Sequence, residues 1–225
     1  MGEMRDRRKT AAYFEAYIAC EKRRLEKKLE KVKACTDREQ AARVWNSIFL
    51  YRMNLLMASF SAGADREELK ELYEAACEAA CRINSLSYGD ALALSCFSVM
   101  LGSISAMKPV AGLFESVFTM DKLLGGLRSY LERGHAVWQG EYRFPEVYGA
   151  LDAVLEAETK EAGEKALLSW METWYDKCGD CAWHGTLESA NDVYYGYWCL
   201  EAAALAIIFG FDTERLSGNE YFPAV

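Results

Sequence analysis

Histidine and proline are scarce in this chain of 225 residues, which has two of the first and three of the second. So few prolines leave long stretches free to form helix, because proline both removes a backbone N–H and clashes with the preceding turn. Two histidines leave little material for an imidazole metal centre, and no Ser, His and Asp stand at a recognisable catalytic spacing. There is no glycine-rich phosphate loop, no polar/apolar alternation long enough to build a sheet, and no evident internal repeat. Met1 leads into Arg5, Asp6, Arg7, Arg8 and Lys9 without a short apolar segment behind them, so no signal peptide is expected and the chain is expected in the cytoplasm. In that reducing compartment Cys20, Cys35, Cys77, Cys81, Cys96, Cys178, Cys181 and Cys199 are expected as free thiols, most of them filling the core.

Long apolar runs of the membrane-spanning kind are also missing. Ala91 to Met107 carries no Lys, Arg, Asp or Glu, but it is short and rich in Ser, Gly and Cys. Val193 to Phe211 is interrupted by Glu201 near its middle, and a carboxylate at mid-bilayer costs about 2.5–3.5 kcal/mol on insertion scales. Neither segment is expected to cross a membrane.

What the sequence does hold is material for a core: 52% hydrophobic residues, 13% of all residues aromatic. This excludes a disordered chain. The net charge of −8 is uneven. Residues 1–40 carry 12 basic and 8 acidic side chains, whereas residues 141–225 carry 5 basic and 16 acidic ones. An acidic surface of that kind repels phosphate backbones and attracts basic proteins, so direct nucleic-acid binding is not expected.

The periodicity predicts an all-α fold. Phe14, Ile18, Leu25, Leu29 and Val32 give one face of a helix from Thr10 to Ala34. Thr36 with Glu39 forms a capping-box pattern before a second helix running to about Phe60, and Asp65 with Glu68, then Ser87 with Asp90, announce two more. The third places Leu69, Leu72, Tyr73, Ala76, Ala80 and Ile83 on one face, and the fourth ends before Pro109. These four are expected as an antiparallel, four-helix-like bundle. A further helix, Met120 to Arg133, ends at Gly134, a left-handed cap. The segment from Gly134 to Phe144 is the expected boundary, dividing an N-terminal bundle, 1–134, from a C-terminal helical domain, 135–225, packed against it. Pro145 opens Glu146 to Ala157, and a helix follows from Lys160 to Lys177. Cys178 to Asn191 reads as a loop. Asp192 to Phe209 reads as a nearly all-round apolar helix at the centre of its domain, ended by Gly210.

Glu132 and His135 match a Glu-x-x-His ligand spacing, but the further glutamates and second pair that such sites need are missing, so no metal site is expected. Arg128 and His135 fit the Arg-x6-His spacing of helical ribonucleases resembling the HEPN group. There a cation holds the scissile phosphate while His moves a proton; this is the alternative, enzymatic reading. Cys178-Gly-Asp-Cys181 with His184 offers three soft ligands where structural zinc takes four, and a redox pair there lacks the usual strand-to-helix setting. Trp170, Trp174, Tyr175, Trp183, Tyr194, Tyr195, Tyr197 and Trp198 are interleaved with Asp176, Asp180, Glu188 and Asp192. Most of these aromatics stand at helical spacing, as core residues do.

Trp174-Tyr175-Asp176, a polar loop, Tyr194-Tyr195-Gly196-Tyr197-Trp198-Cys199-Leu200-Glu201-Ala202-Ala203-Ala204, Gly210 and Tyr221-Phe222-Pro223 together resemble the C-terminal domain of the PoNi immunity proteins. The N-terminal half is similar through Met4-Arg5-Asp6, Tyr13-Phe14, Tyr17-Ile18 and Asn54-Leu55-Leu56. The resemblance implies an all-helical bacterial protein that is not an enzyme, uses no cofactor, and binds and neutralises a cognate PoNe-type DNase toxin. A DNase presents basic surface to DNA, and a carboxylate-rich inhibitor competes for that surface. The family pattern makes Trp174, Tyr175, Gly196, Tyr197, Trp198, Glu201, Ala202, Tyr221 and Pro223 structural. Gly196 is expected to allow close helix approach, and Glu201 to be paired inside. Cys199 departs from the pattern, which usually has a polar residue there. Toxin recognition is expected from Asp176, Asp180, Trp183, His184, Glu188 and Asp192, where carboxylates and aromatic anchors lie in a loop that breaks the helical period.

Overall fold

The computed structural model describes residues 3–119 and 121–223, so Met120, expected to begin a helix, lies outside the described residues. Among those described, all regular structure is helical. The α-helices are α1 (Ala11–Lys33), α2 (Arg38–Ser61), α3 (Arg66–Ala80), α4 (Tyr88–Leu101), α5 (Ile104–Leu113), α6 (Glu115–Thr119), α7 (Lys122–Arg133), α8 (Pro145–Tyr148), α9 (Asp152–Leu155), α10 (Lys160–Lys177), α11 (Leu200–Phe209) and α12 (Thr213–Leu216). Short 3₁₀ turns cover Gly149–Leu151 and Thr186–Glu188. Among the described residues no helix is long and apolar enough to cross a membrane.

Most helix starts follow from capping side chains. Thr10, Asp65, Ser87 and Thr159 each accept a hydrogen bond from the N–H three residues on, satisfying a donor that the first turn leaves without a partner. At α2 the cap is Asp37 and not Thr36: its carboxylate accepts from the Gln40 N–H at 2.6 Å. An ionised cap makes the stronger bond to a backbone N–H, so the start moves by one residue. Gly102, Gly134 and Gly210 end α4, α7 and α11 in the left-handed conformation. The stop of α4 is thus Gly102, well before Pro109, which lies inside α5.

The chain forms two compact units that interleave along the sequence, so the single cut expected at residue 134 does not separate them. The first comprises Met1–Leu86, Ser105–Leu113 and Thr186–Gly196; the second comprises Ser87–Ile104, Phe114–Gly185 and Tyr197–Val225. In the first, α2 packs between α1 and α3, burying Phe14, Ile48, Leu56, Leu69 and Tyr73. Its 186–196 segment begins with a 3₁₀ turn, continues without regular structure and is pinned to the helices. The Tyr13 hydroxyl donates to the Tyr194 carbonyl at 2.9 Å, and the Ser61 hydroxyl donates to the Tyr195 carbonyl at 2.6 Å. The Tyr194 hydroxyl donates to the buried Asp6 carboxylate. Arg5 donates to the Phe60 and Ala64 carbonyls, each at 3.0 Å.

The second unit is organised by α4, which packs on α7 and α11. Sequence reasoning places α4 in a bundle with α1 to α3, but Ala91, Leu92 and every residue from Leu94 to Leu101 are buried. A helix apolar on all sides needs neighbours all round, and α7 and α11 supply them. The segment expected to be a domain boundary is held inside this unit. The Arg143 N–H donates to Asp121 at 2.8 Å, Tyr142 and Lys122 both donate to Asp152 at 2.7 Å, and Trp138 stacks on Phe209. Gly126 makes this possible, since a Cβ there would stand 1.8 Å from the Trp138 ring.

The central apolar helix is shorter than its hydrophobicity predicts. Residues 192–199 are not helical, and α11 starts at Leu200. Gly196 has φ +120°, a conformation that side-chain-bearing residues avoid. Its role is therefore to turn the backbone, and not to let helices approach. The flanking tyrosines and tryptophan are poor helix formers, and the Cys199 N–H is taken by the Tyr221 carbonyl at 2.8 Å.

Candidate functional site

Four of the six residues expected to recognise a partner belong to the second unit, Asp176 in the last turn of α10 and Asp180, Trp183 and His184 after its C-terminal end. Asp176 and Asp180 are exposed there, while Trp183 and His184 are half-buried. Trp183 stacks on Trp174 with centroids 5.2 Å apart and planes 18° from parallel, and His184 stacks on Tyr175 at 4.2 Å. Tyr197 and Tyr221 close the same cluster, 5.0 Å and 5.3 Å from Tyr175. The expected anchors Trp183 and His184 therefore form part of an aromatic stack with the family-pattern residues Trp174, Tyr175, Tyr197 and Tyr221. The stack fixes the backbone that carries the two aspartates: the Gly185 N–H donates to the Tyr175 hydroxyl at 3.3 Å. The His184 Nε2 is buried with no hydrogen-bond partner among the described residues.

Glu188 and Asp192 belong to the first unit and are exposed, Glu188 at the end of the 3₁₀ turn. Their segment is tied down by Lys9, which donates to the Leu187 carbonyl at 3.1 Å. Burial raises the Tyr13 pKa, and the carboxylate of Asp192 adds to the effect. Arg5, Asp6, Lys9 and Tyr13 thus position one part of the candidate loop. The only sequence signal for this role was the Met4-Arg5-Asp6 and Tyr13-Phe14 resemblance, since no periodicity links residues so far apart.

Behind the aromatic stack lies a buried carboxyl. Glu201 accepts from the Tyr148 hydroxyl at 3.1 Å. Burial raises its pKa, and its own backbone N–H and the Tyr148, Cys199 and Trp174 side chains partly offset this. Burial beside the same carboxyl also pushes the Tyr148, Cys96 and Cys199 pKa values up. Ala202, Tyr197 and Trp198 are buried, as are Phe222 and Pro223.

The residues of the alternative, ribonuclease reading are not arranged for it. Arg128 is engaged by Glu132 at 2.7 Å and Glu115 at 3.4 Å, which hold its guanidinium charged. His135 is exposed and lies beyond the Gly134 cap of α7. Among the described residues no three His, Cys, Asp or Glu side chains stand together as metal ligands.

Fold and site together define an all-α protein with a carboxyl-centred aromatic interior and a carboxylate-bearing loop stacked against it. Residues 119–224 match the family model of PoNe immunity proteins (PoNi), C-terminal. A solved structure, protein PA2201 from Pseudomonas aeruginosa, is similar with a TM-score of 0.70 and 17% identity, over 92% of this chain and 85% of that one. At that identity the similarity shows a shared fold. No curated protein matches the chain.

Proposed function

We propose that the chain is an immunity protein which binds a cognate PoNe-type DNase toxin and neutralises it without catalysing any reaction. The match of residues 119–224 to the PoNi C-terminal family carries this reading. The N-terminal half takes the role of the matching PoNi N-terminal region, on the strength of its Arg5-Asp6 and Tyr13-Phe14 residues. The partner is a basic protein, because residues 141–225 carry 16 acidic against 5 basic side chains, and opposite charge accelerates encounter. Asp176, Asp180, Glu188 and Asp192 are exposed and therefore free to meet it. Trp183 and His184 support the loop through the aromatic stack and offer their outer faces.

The test is co-purification of the chain with the product of the neighbouring gene, followed by DNA cleavage with and without the chain. A complex that silences a DNase supports the reading; an undiminished nuclease overturns it. Reversing all four charges (D176K, D180K, E188K, D192K) is expected to abolish protection while leaving the helical content unchanged. Full inhibition by that variant would place the interface elsewhere.

A further inference from the structure

Cys178 caps the C-terminal end of α10, and Cys181 follows in the next turn, its N–H donating to the Cys178 carbonyl at 2.9 Å. A turn closed in this way holds its end Cα atoms within about 7 Å, and a disulfide needs about 4.4–6.8 Å. The two neighbouring thiols perturb each other, the pKa of Cys178 being raised and that of Cys181 lowered. Their exposure differs: Cys181 is open to solvent and Cys178 is buried behind it. That is the division of labour thiol–disulfide exchange requires, one sulfur reachable from outside and one held to resolve the adduct. Cys96 and Cys199 share the neighbourhood of Glu201, but both are buried and have no exposed thiol next to them in sequence.

We propose that Cys178 and Cys181 are a redox-active dithiol that exchanges with small disulfides of the glutathione type. The proposal stands apart from the immunity reading and holds or fails independently of it. In the first step the Cys181 thiolate attacks one sulfur of the external disulfide. That S–S bond breaks, one external thiolate leaves and takes a proton from water, and a mixed disulfide remains on Cys181. In the second step the Cys178 thiol loses its proton to water, its sulfur attacks the Cys181 sulfur, the mixed disulfide bond breaks, and the second external thiolate leaves and takes a proton from water. Two protein thiols have then lost two electrons and two protons, and the external disulfide has gained both as two thiols.

The electrostatics suit the order of attack. The lowered Cys181 pKa makes it the attacking thiolate, and the raised Cys178 pKa keeps that sulfur protonated until the adduct forms. At the C-terminal end of a helix the dipole disfavours thiolates, so the uncharged disulfide is the favoured partner of the couple.

The test equilibrates the full chain in mixtures of reduced and oxidised glutathione, followed by acid quenching, alkylation and peptide mass spectrometry. A Cys178–Cys181 link is expected to grow with the oxidised fraction. C178S is expected to stop at a glutathione adduct on Cys181, and C181S to leave Cys178 unmodified. No link in fully oxidised glutathione, or an adduct on Cys181 that persists in the unaltered chain, overturns the proposal.

Discussion

Glu201 lies in the first turn of α11, where the helix dipole favours a carboxylate, yet burial wins and its pKa is raised. A carboxyl with a raised folded pKa binds its proton more tightly when folded than when unfolded. Its contribution to stability is therefore greatest below its usual value of 4.5 and is lost as pH rises through the folded pKa. Urea unfolding of the unaltered chain is expected to lose about 1.4 kcal/mol per pH unit within that window from this group. E201Q removes the slope, and is expected to be at least as stable as the unaltered chain at neutral pH. An identical slope in the two proteins would show that Glu201 does not titrate there. The pairing of Glu201 inside was legible only through the family resemblance. Its partner Tyr148, 53 positions away, was not.

Helix limits were legible wherever a side chain acts on its own backbone. Thr10, Asp65, Ser87, Pro145, Thr159 and Gly134 mark starts and stops that the structure shows. Where two capping residues are adjacent, chemistry decides between them. D37A is expected to cost about 1 kcal/mol and T36A much less, read from urea unfolding; the reverse order would return the cap of α2 to Thr36. The start of α11 was misread from hydrophobicity because an apolar run can be buried as helix or as extended chain. Gly196 and the Cys199 to Tyr221 backbone bond settle it in favour of extended chain. G196A is expected to destabilise the chain by about 1–3 kcal/mol, since φ +120° strains a residue with a Cβ. A stability change within a few tenths of a kcal/mol would show that this turn is not strained.

At the scale of the whole chain, charge carries the functional expectation. Exposed carboxylates are screened within about 8 Å at physiological salt. Association with a basic nuclease is thus expected to slow as salt rises from 50 to 500 mM, with dissociation changing far less, in stopped-flow or surface-binding kinetics. An association rate independent of salt would remove electrostatic steering from the account. The division into interleaved units was not legible, because α4 leaves its sequence neighbours to be surrounded by α7 and α11.

The sequence by itself determined that the chain is helical, where most helices begin and end, and that Glu201 is buried. Each of these follows from interactions within a few residues, or from the high cost of leaving apolar surface in water. Only the tertiary structure decided that Trp183 and His184 stack inward on Trp174 and Tyr175, and that Tyr194 reaches Asp6. Those contacts join residues whose distance along the chain carries no signal, and they form only once the helices have packed.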